Sequence, residues 1–161
     1  MDPEDRLDRF ASWINDRARH VLLEDGGHAA MFLLMTPDGA VHVERFGGAR
    51  ERPVGAFRAR TMAEAVRRTS ADAIALIAEA WSAPEDSVPA GGGAGDSTRA
   101  RDILLVAAID RSGGQIVFET AIHRGADDSI EIGDSRRFAT GYDLGIFDEV
   151  RAVWVVSASL D

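Results

Sequence analysis

Antiparallel strand pairing is the constraint that this sequence imposes most clearly. The apolar-rich runs 29–36 and 40–46 flank Pro37-Asp38-Gly39, where proline presets φ and glycine supplies a left-handed position. Such a short turn joins antiparallel strands, because parallel strands need a crossover of about a dozen residues or more. The first run is apolar on both faces, which predicts a central, covered strand, whereas the second alternates and has one wetter face.

A second hairpin is predicted later in the chain. The runs 102–109 and 115–123 flank Asp110-Arg111-Ser112-Gly113-Gly114, a turn rich in glycine. Residues 129–132 predict one further short strand. Before this hairpin, residues 84–100 contain two prolines and a glycine run but few apolar groups. That composition predicts a flexible internal loop, because it offers little apolar area to offset the entropy of ordering.

The first segment predicts an amphipathic helix. Asp2 occupies the N-cap position, Pro3 the first helical position, and Gly26 with Gly27 ends the segment. Apolar residues recur at spacings of three and four, which marks one buried stripe. The stripe consists of Leu7, Phe10, Ala11, Ile14, Ala18, Val21 and Leu22.

Two segments allow both a helix and a strand. Thr61-Met62-Ala63-Glu64 has the form of a capping box, which predicts a helix that begins at Thr61. That helix either continues to Trp81 or ends near Ser70 and is followed by a strand over 73–82. A final helix is predicted from about Asp143, although residues 150–157 also contain an apolar run that fits a strand.

These elements predict a single α+β domain over residues 1–161. The expected order is α-β-β-α-β-β-β-α, with a mainly antiparallel sheet of about five strands. Roadblock-like and profilin-like scaffolds have this order of elements, and the analogy concerns the fold alone.

Composition and charge exclude several classes of protein. The 161 residues include no cysteine, which excludes disulfide scaffolds, thiolate metal sites and a cysteine nucleophile. The net charge is -9, which disfavours general binding to nucleic acid or to anionic membranes. No apolar run is long enough to span a bilayer. The first residues carry no signal-peptide pattern, so we expect a cytoplasmic location.

The sequence contains no pattern typical of a metal or cofactor site. The four histidines form no paired-ligand spacing, so neither a metal nor a cofactor is expected. His42 and Glu44 share one face of a predicted strand and form the best candidate pair for ligation or acid–base chemistry. A polar pair on a wet sheet face is the simpler interpretation of these two residues.

One local concentration of positive charge predicts an anion site. Between Arg45 and Arg68 the chain has seven arginines and two acidic residues, a local net charge of +5. Guanidinium groups bind phosphate and carboxylate through paired hydrogen bonds. Arg45, Arg58 and Arg60 are the predicted ligand-binding residues, the last two because they would lead into a helix N-terminus at Thr61. The alternative is that this arginine band pairs with acidic segments of the protein itself.

Two short motifs resemble those of a group of small uncharacterised bacterial α+β proteins. These motifs are a strand with Ala78-Glu79-Ala80-Trp81 and, after a variable loop, a hairpin with Asp110-Arg111-Ser112-Gly113. The resemblance covers roughly residues 61–123. It implies that 73–82 is a strand and implies no activity.

Two functions of different classes are consistent with these observations. The favoured one is a non-catalytic binding or assembly domain, and the alternative is a small hydrolase or isomerase that uses His42, Glu44 and nearby carboxylates. A homodimer is also predicted. The sheet needs its two edges covered, the chain has no lysine to guard them, and runs such as 102–109 carry little charge.

Overall fold

The computed structural model describes residues 2–46 and 54–159. These residues form one antiparallel sheet of six strands with helices packed on both of its sides. The helices and strands are α1 (Pro3–Asp25), β1 (Met31–Met35), β2 (Val41–Arg45), α2 (Val54–Thr69), β3 (Ala73–Ser82), β4 (Arg101–Asp110), β5 (Gln115–Arg124), β6 (Ile130–Phe138) and α3 (Asp148–Ala158). The prediction of an α+β fold is confirmed, with one strand more than the expected five.

The strand order across the sheet is β2-β1-β3-β4-β5-β6, and every neighbouring pair is antiparallel. The first strand is therefore interior, as its apolar sequence predicts. The edges are β2 and β6. The run 102–109, whose low charge supported the expectation of an exposed edge, lies in β4 between two neighbours, so that part of the prediction is wrong.

One side of the sheet is covered by α1. Asp2 caps this helix by accepting a hydrogen bond from the Glu4 N–H at 3.1 Å, and Gly26 ends it in the left-handed conformation with φ at 75°. The predicted stripe packs on alternate residues of the strands. The α1 core consists of Leu7, Phe10, Ala11, Ile14, Ala18 and Leu22 against Leu33, Met35, Ala73, Ala75, Ile77, Leu104, Val106, Ala108, Ile116, Phe118 and Ile122.

The other side of the sheet is covered by α2 and α3 over half of its length. Strand residues that point to this side near the β4–β5 turn are fully buried beneath the two helices. They are Phe32, Leu34, Ile74, Leu76, Ala107, Ile109 and Val117. The Trp154 indole N–H donates to the Ala71 carbonyl at 2.8 Å and fastens α3 to the turn after α2. We call this region the closed half of the α2–α3 side.

The structure decides the segments that fit two conformations. Residues 73–82 form the strand β3, and residues 150–157 lie within the helix α3. The predicted start of the second helix at Thr61 is wrong, because α2 already begins at Val54. Thr61 lies inside the helix, where its hydroxyl donates to the Phe57 carbonyl at 2.8 Å instead of capping.

The extra strand is β6, for which the sequence predicts only residues 129–132. Its continuation through Gly133, Asp134 and Ser135 is polar, since an edge strand is exposed along one side. The long connection before β4 contains two short 3₁₀ turns, Glu85–Ser87 and Ala94–Asp96, and its flexibility stays a prediction. Among the described residues, no helix has the length and apolar character needed to cross a membrane.

Candidate functional site

A cleft of about 510 Å³ lies on the α2–α3 side of the sheet, beyond the reach of both helices. We call it the Glu119 cleft and the surrounding region the open half of this side. Four strands and two connecting segments supply its walls. The lining residues are Ser82, Ala83, Pro84, Arg99, Arg101, Glu119, Arg136, Phe138, Gly141 and Tyr142.

The strand register explains why Glu119 points into this cleft. Side chains alternate between the two sides of a strand, so Glu119 faces the same side as Val117 of the closed half. Glu119 lies opposite Leu105 of β4 and opposite Arg136 of β6. Two residues beyond Val117, the same side of β5 thus carries a carboxylate.

Glu119 is an acidic side chain held in a buried position. Only 7% of its surface is exposed. Its Oε1 accepts a hydrogen bond from the Tyr142 hydroxyl at 2.6 Å and a long one from the Ser82 hydroxyl at 3.5 Å. Among the described residues Oε2 accepts no hydrogen bond, so this oxygen is available to a molecule in the cleft. Burying a carboxylate is costly unless it is hydrogen-bonded, which makes the position unusual for a residue with no role.

Tyr142 is the partner that fixes the carboxylate. It follows β6 in the chain, and its ring packs against Phe138 with the centroids 5.7 Å apart. Burial raises the pKa of the Tyr142 hydroxyl well above its ordinary value of 10.0, and the hydrogen bond to Glu119 and the negative charge of Glu119 raise it further. The hydroxyl therefore stays protonated and acts as a permanent donor to Glu119.

Three arginines line the same cleft as the carboxylate. Arg101 begins β4, opposite Ser82, and Arg136 lies opposite Glu119 on β6. Arg99 lies just before β4, 3.7 Å from the exposed carboxylate of Asp86. The Arg136 guanidinium lies 5.2 Å from the centroid of the Phe138 ring, which holds it at the margin of the cleft. The cleft lining thus has three positive groups and one negative group on a chain whose net charge is -9.

The arginines predicted from sequence do not converge. By register Arg45 lies opposite Met31 and faces the α1 side of the sheet. Arg58 lies on the other side, where its guanidinium is 5.2 Å from the centroid of the Phe46 ring. Arg60 is exposed two residues further along α2, about 200° around the helix from Arg58. The structure therefore brings no two of the three together, and binding at any one of them stays a prediction.

The remainder of the arginine band is partly explained by pairing within the protein. Arg68 forms an ion pair with Glu44, which joins α2 to β2. This contact agrees with the alternative that the band neutralises acidic residues of the same chain. Arg50 and Arg52 lie outside the described residues.

The pair His42 and Glu44 lies on β2 at the edge of the sheet. His42 is exposed, and Glu44 is engaged by Arg68. Within residues 2–46 and 54–159, no three or more histidine, aspartate or glutamate side chains are placed to hold a metal ion.

Sequence reasoning missed the Glu119 cleft because its residues are dispersed over 61 positions of the chain, from Ser82 to Tyr142. One signal was available. Glu119 is the one charged residue in the run 116–120, whose other residues are apolar or Thr. A charged residue inside such a run indicates a buried acid that needs partners.

A model of the bacteriophage lambda protein ea47 family matches residues 2–159, and the chain belongs to that family. The motifs around Trp81 and Asp110 resemble those of bacterial proteins outside any named family, and this match supplies the family that the motifs do not name. No curated protein matches the chain. No solved structure matches it either, so the roadblock and profilin analogy stays a prediction.

Proposed function

We propose that this protein is a non-catalytic binding domain that holds a small anionic ligand in the Glu119 cleft. The observation that carries the proposal is a buried carboxylate, one oxygen of which accepts no hydrogen bond from the described residues, in a cleft that three arginines also line. The family description names no ligand, so the proposal depends on the chemistry of the cleft alone.

The two kinds of charge in the cleft define the ligand class. Arg101 and Arg136 offer guanidinium forks that bind phosphate or carboxylate groups. Glu119 Oε2, which no described residue engages, can accept a hydrogen bond from a ligand and would repel a bare anion. A ligand that satisfies both carries an anionic group together with a hydroxyl or ammonium donor a few bonds away. Phosphorylated alcohols and hydroxy or amino acids have this form.

The state of Tyr142 supports binding rather than catalysis. A general acid or base works best when its pKa lies near the working pH. Burial and Glu119 move the pKa of Tyr142 in the opposite direction, away from neutrality. The tyrosine is thus suited to orient the carboxylate and not to exchange protons. The alternative hydrolase or isomerase centred on His42 and Glu44 has less support, because Arg68 occupies Glu44 at an exposed strand edge.

Inorganic phosphate is the probe for this proposal, because at neutral pH it combines a negative charge for the arginines with a P–OH group that can donate to Glu119. We expect the wild-type chain to melt at a higher temperature in phosphate than in chloride buffer of equal ionic strength, because a ligand that binds only the folded state stabilises it. The variant R101Q/R136Q should lose most of this stabilisation. R45Q/R60Q is the matched control, because it removes the same charge from exposed positions outside the cleft.

Three outcomes separate the possibilities. Loss of the phosphate effect in R101Q/R136Q alone supports the cleft. Loss in R45Q/R60Q alone would place the anion at the arginine band and overturn the proposal. A wild-type melting temperature that is indifferent to phosphate, to 3-phosphoglycerate and to citrate at constant ionic strength would also overturn it.

A further inference from the structure

We propose that two copies of this chain join through antiparallel pairing of their β2 strands, with Val43 on the two-fold axis. This pairing would unite two six-stranded sheets into one continuous sheet. The inference is independent of the Glu119 cleft, which lies toward the β6 edge at the other end of the strand order.

The backbone of β2 forms an edge of the sheet that no strand among residues 2–46 and 54–159 pairs with. The Thr36 N–H donates to the Ala40 carbonyl at 3.0 Å, which makes this pair a hydrogen-bonded one. Hydrogen-bonded pairs recur every second residue in an antiparallel ladder, so His42 and Glu44 also direct their backbone groups toward β1. Val41, Val43 and Arg45 therefore direct theirs away from the sheet. No described strand pairs with that edge.

The two edges of the sheet differ in how well they are protected. The β6 edge carries Glu131, Asp134 and Arg136. Its pairing with β5 is irregular between Thr120 and Ile122, and Arg137 forms an ion pair with Asp8. Charges and bulges of this kind discourage strand pairing. On β2 the side chains facing the α1 side include Val41 and Val43, which are 40% and 60% exposed. Helix α1 packs on β3 to β6 and leaves these valines uncovered.

The sequence of β2 favours one register of self-pairing. When Val43 lies opposite Val43 of the partner subunit, all five residues of β2 are paired. The backbone groups of Val41, Val43 and Arg45 then form hydrogen bonds with those of the same three residues of the other copy. His42 then lies opposite Glu44 of the partner subunit on the α2 side. Hydrogen-bonding pairs in such positions stabilise a sheet, whereas two glutamates directly opposite each other destabilise it. A two-fold axis at residue 42 or 44 would instead place His42 against its own copy or Glu44 against its own copy.

The absence of cysteine from the sequence permits a register-specific test. In the V43C variant the two thiols lie on the axis, where paired Cα atoms are about 5.5 Å apart and can be bridged by a disulfide. In the matched control V41C the two thiols lie about 13 Å apart, because residue 41 pairs with residue 45 of the other copy. We expect mild oxidation to convert most V43C to a covalent dimer and to leave V41C largely without a cross-link, as a dimer that separates into single chains under denaturing conditions.

A second measurement is the mass of the protein in solution, without any cross-link. Light scattering of the wild type at micromolar concentration should give twice the 17.3 kDa of one chain. V43P should give the monomer mass with its fold intact, because proline is tolerated where the N–H points out of an edge strand. V155R places a charge on the exposed Val155 of α3, and we expect it to remain dimeric.

Two results would overturn the inference. One is a wild-type mass of 17.3 kDa that does not rise with concentration. The other is a dimer in which V41C cross-links and V43C does not, since that pattern requires a different interface. Pairing of β2 with a strand of another protein would leave the purified chain monomeric and thus gives the first of these results.

Discussion

The two halves of the α2–α3 side show how differently one sheet surface can be used. In the closed half, Leu34 and Ile109 are fully buried beneath helices. In the open half, the same strands carry Ser82, Arg101 and Glu119 around a cleft. The change occurs within two residues on β5, where Val117 is succeeded on the same side by Glu119. The extent of the helices, rather than that of the strands, thus determines which part of the sheet becomes a site.

Two sets of arginines differ in how the fold places them. Arg45, Arg58 and Arg60 are close in sequence and diverge in space, because a strand and a helix direct them to different sides. Arg99, Arg101 and Arg136 come from distant positions and line one cleft. A local count of charge therefore identified a band that the fold disperses, and it overlooked a cluster that the fold assembles.

The largest expected effect is on packing in the closed half. Leu34→Ala should lower the free energy of unfolding by about 2–5 kcal/mol, the usual range for a buried leucine. Leu105 lies opposite Glu119 and is half-buried. Leu105→Ala should lower the free energy of unfolding by about half as much, because solvent already reaches that position. Urea denaturation of both variants measures the difference. Equal losses would show that the open half is packed as tightly as the closed half.

A smaller effect is expected from the hydrogen bond in the cleft. Tyr142→Phe removes the donor at 2.6 Å from the buried Glu119 and should lower the free energy of unfolding by about 1–2 kcal/mol. Trp154→Phe removes a neutral hydrogen bond of the closed half and should lose about 1 kcal/mol from that bond. If Tyr142→Phe is neutral under urea denaturation, Tyr142 is not the partner that stabilises Glu119.

The raised pKa of Tyr142 predicts a change of stability at alkaline pH. Below pH 10 the hydroxyl is protonated in both the folded and the unfolded chain, so the contribution of its contacts is fully present. Above pH 10 the unfolded chain releases this proton first, and stability falls as the pH rises. Tyr142 is the one tyrosine of the sequence, so phenolate absorbance reports its titration directly.

Glu119→Gln is the matched variant for this titration. Without the carboxylate charge the pKa of Tyr142 should move back toward 10.0, because two of the three causes that raise it involve Glu119. An unchanged phenolate titration in this variant would contradict the contact between the two side chains.

The smallest expected effect is the difference in stability between variants of Arg58 and Arg60, two arginines of the band. Arg58→Ala removes a guanidinium packed over the Phe46 ring and should cost about 0.5–1 kcal/mol. Arg60→Ala, at an exposed helix position, should stay within about 0.5 kcal/mol of the wild type. Thermal denaturation at one salt concentration compares them. A greater loss in the Arg60 variant would show a contact of Arg60 that its exposed position does not indicate.

Much of the fold follows from local patterns in the sequence. The α1 stripe, the Gly39 turn and the Asp110–Gly114 turn each contain their own start and stop signals, and all three are present as predicted. The start of α2 and the length of β6 were wrong, because tertiary contacts extend both elements beyond their local signals. The Glu119 cleft could not be predicted in this way, since its geometry depends on the register of four strands.

The position of α1 has a consequence for how the protein is made on the ribosome. This helix precedes all six strands in the chain, yet its residues contact β6, with Asn15 donating to Ser135 at 2.9 Å and Arg137 donating to Asp8. Contacts across more than 100 residues form late and slow the folding of a chain. The apolar stripe of α1 therefore stays incompletely covered until β4 and β5 have emerged. During that interval we expect the stripe to be the part of the nascent chain most open to aggregation.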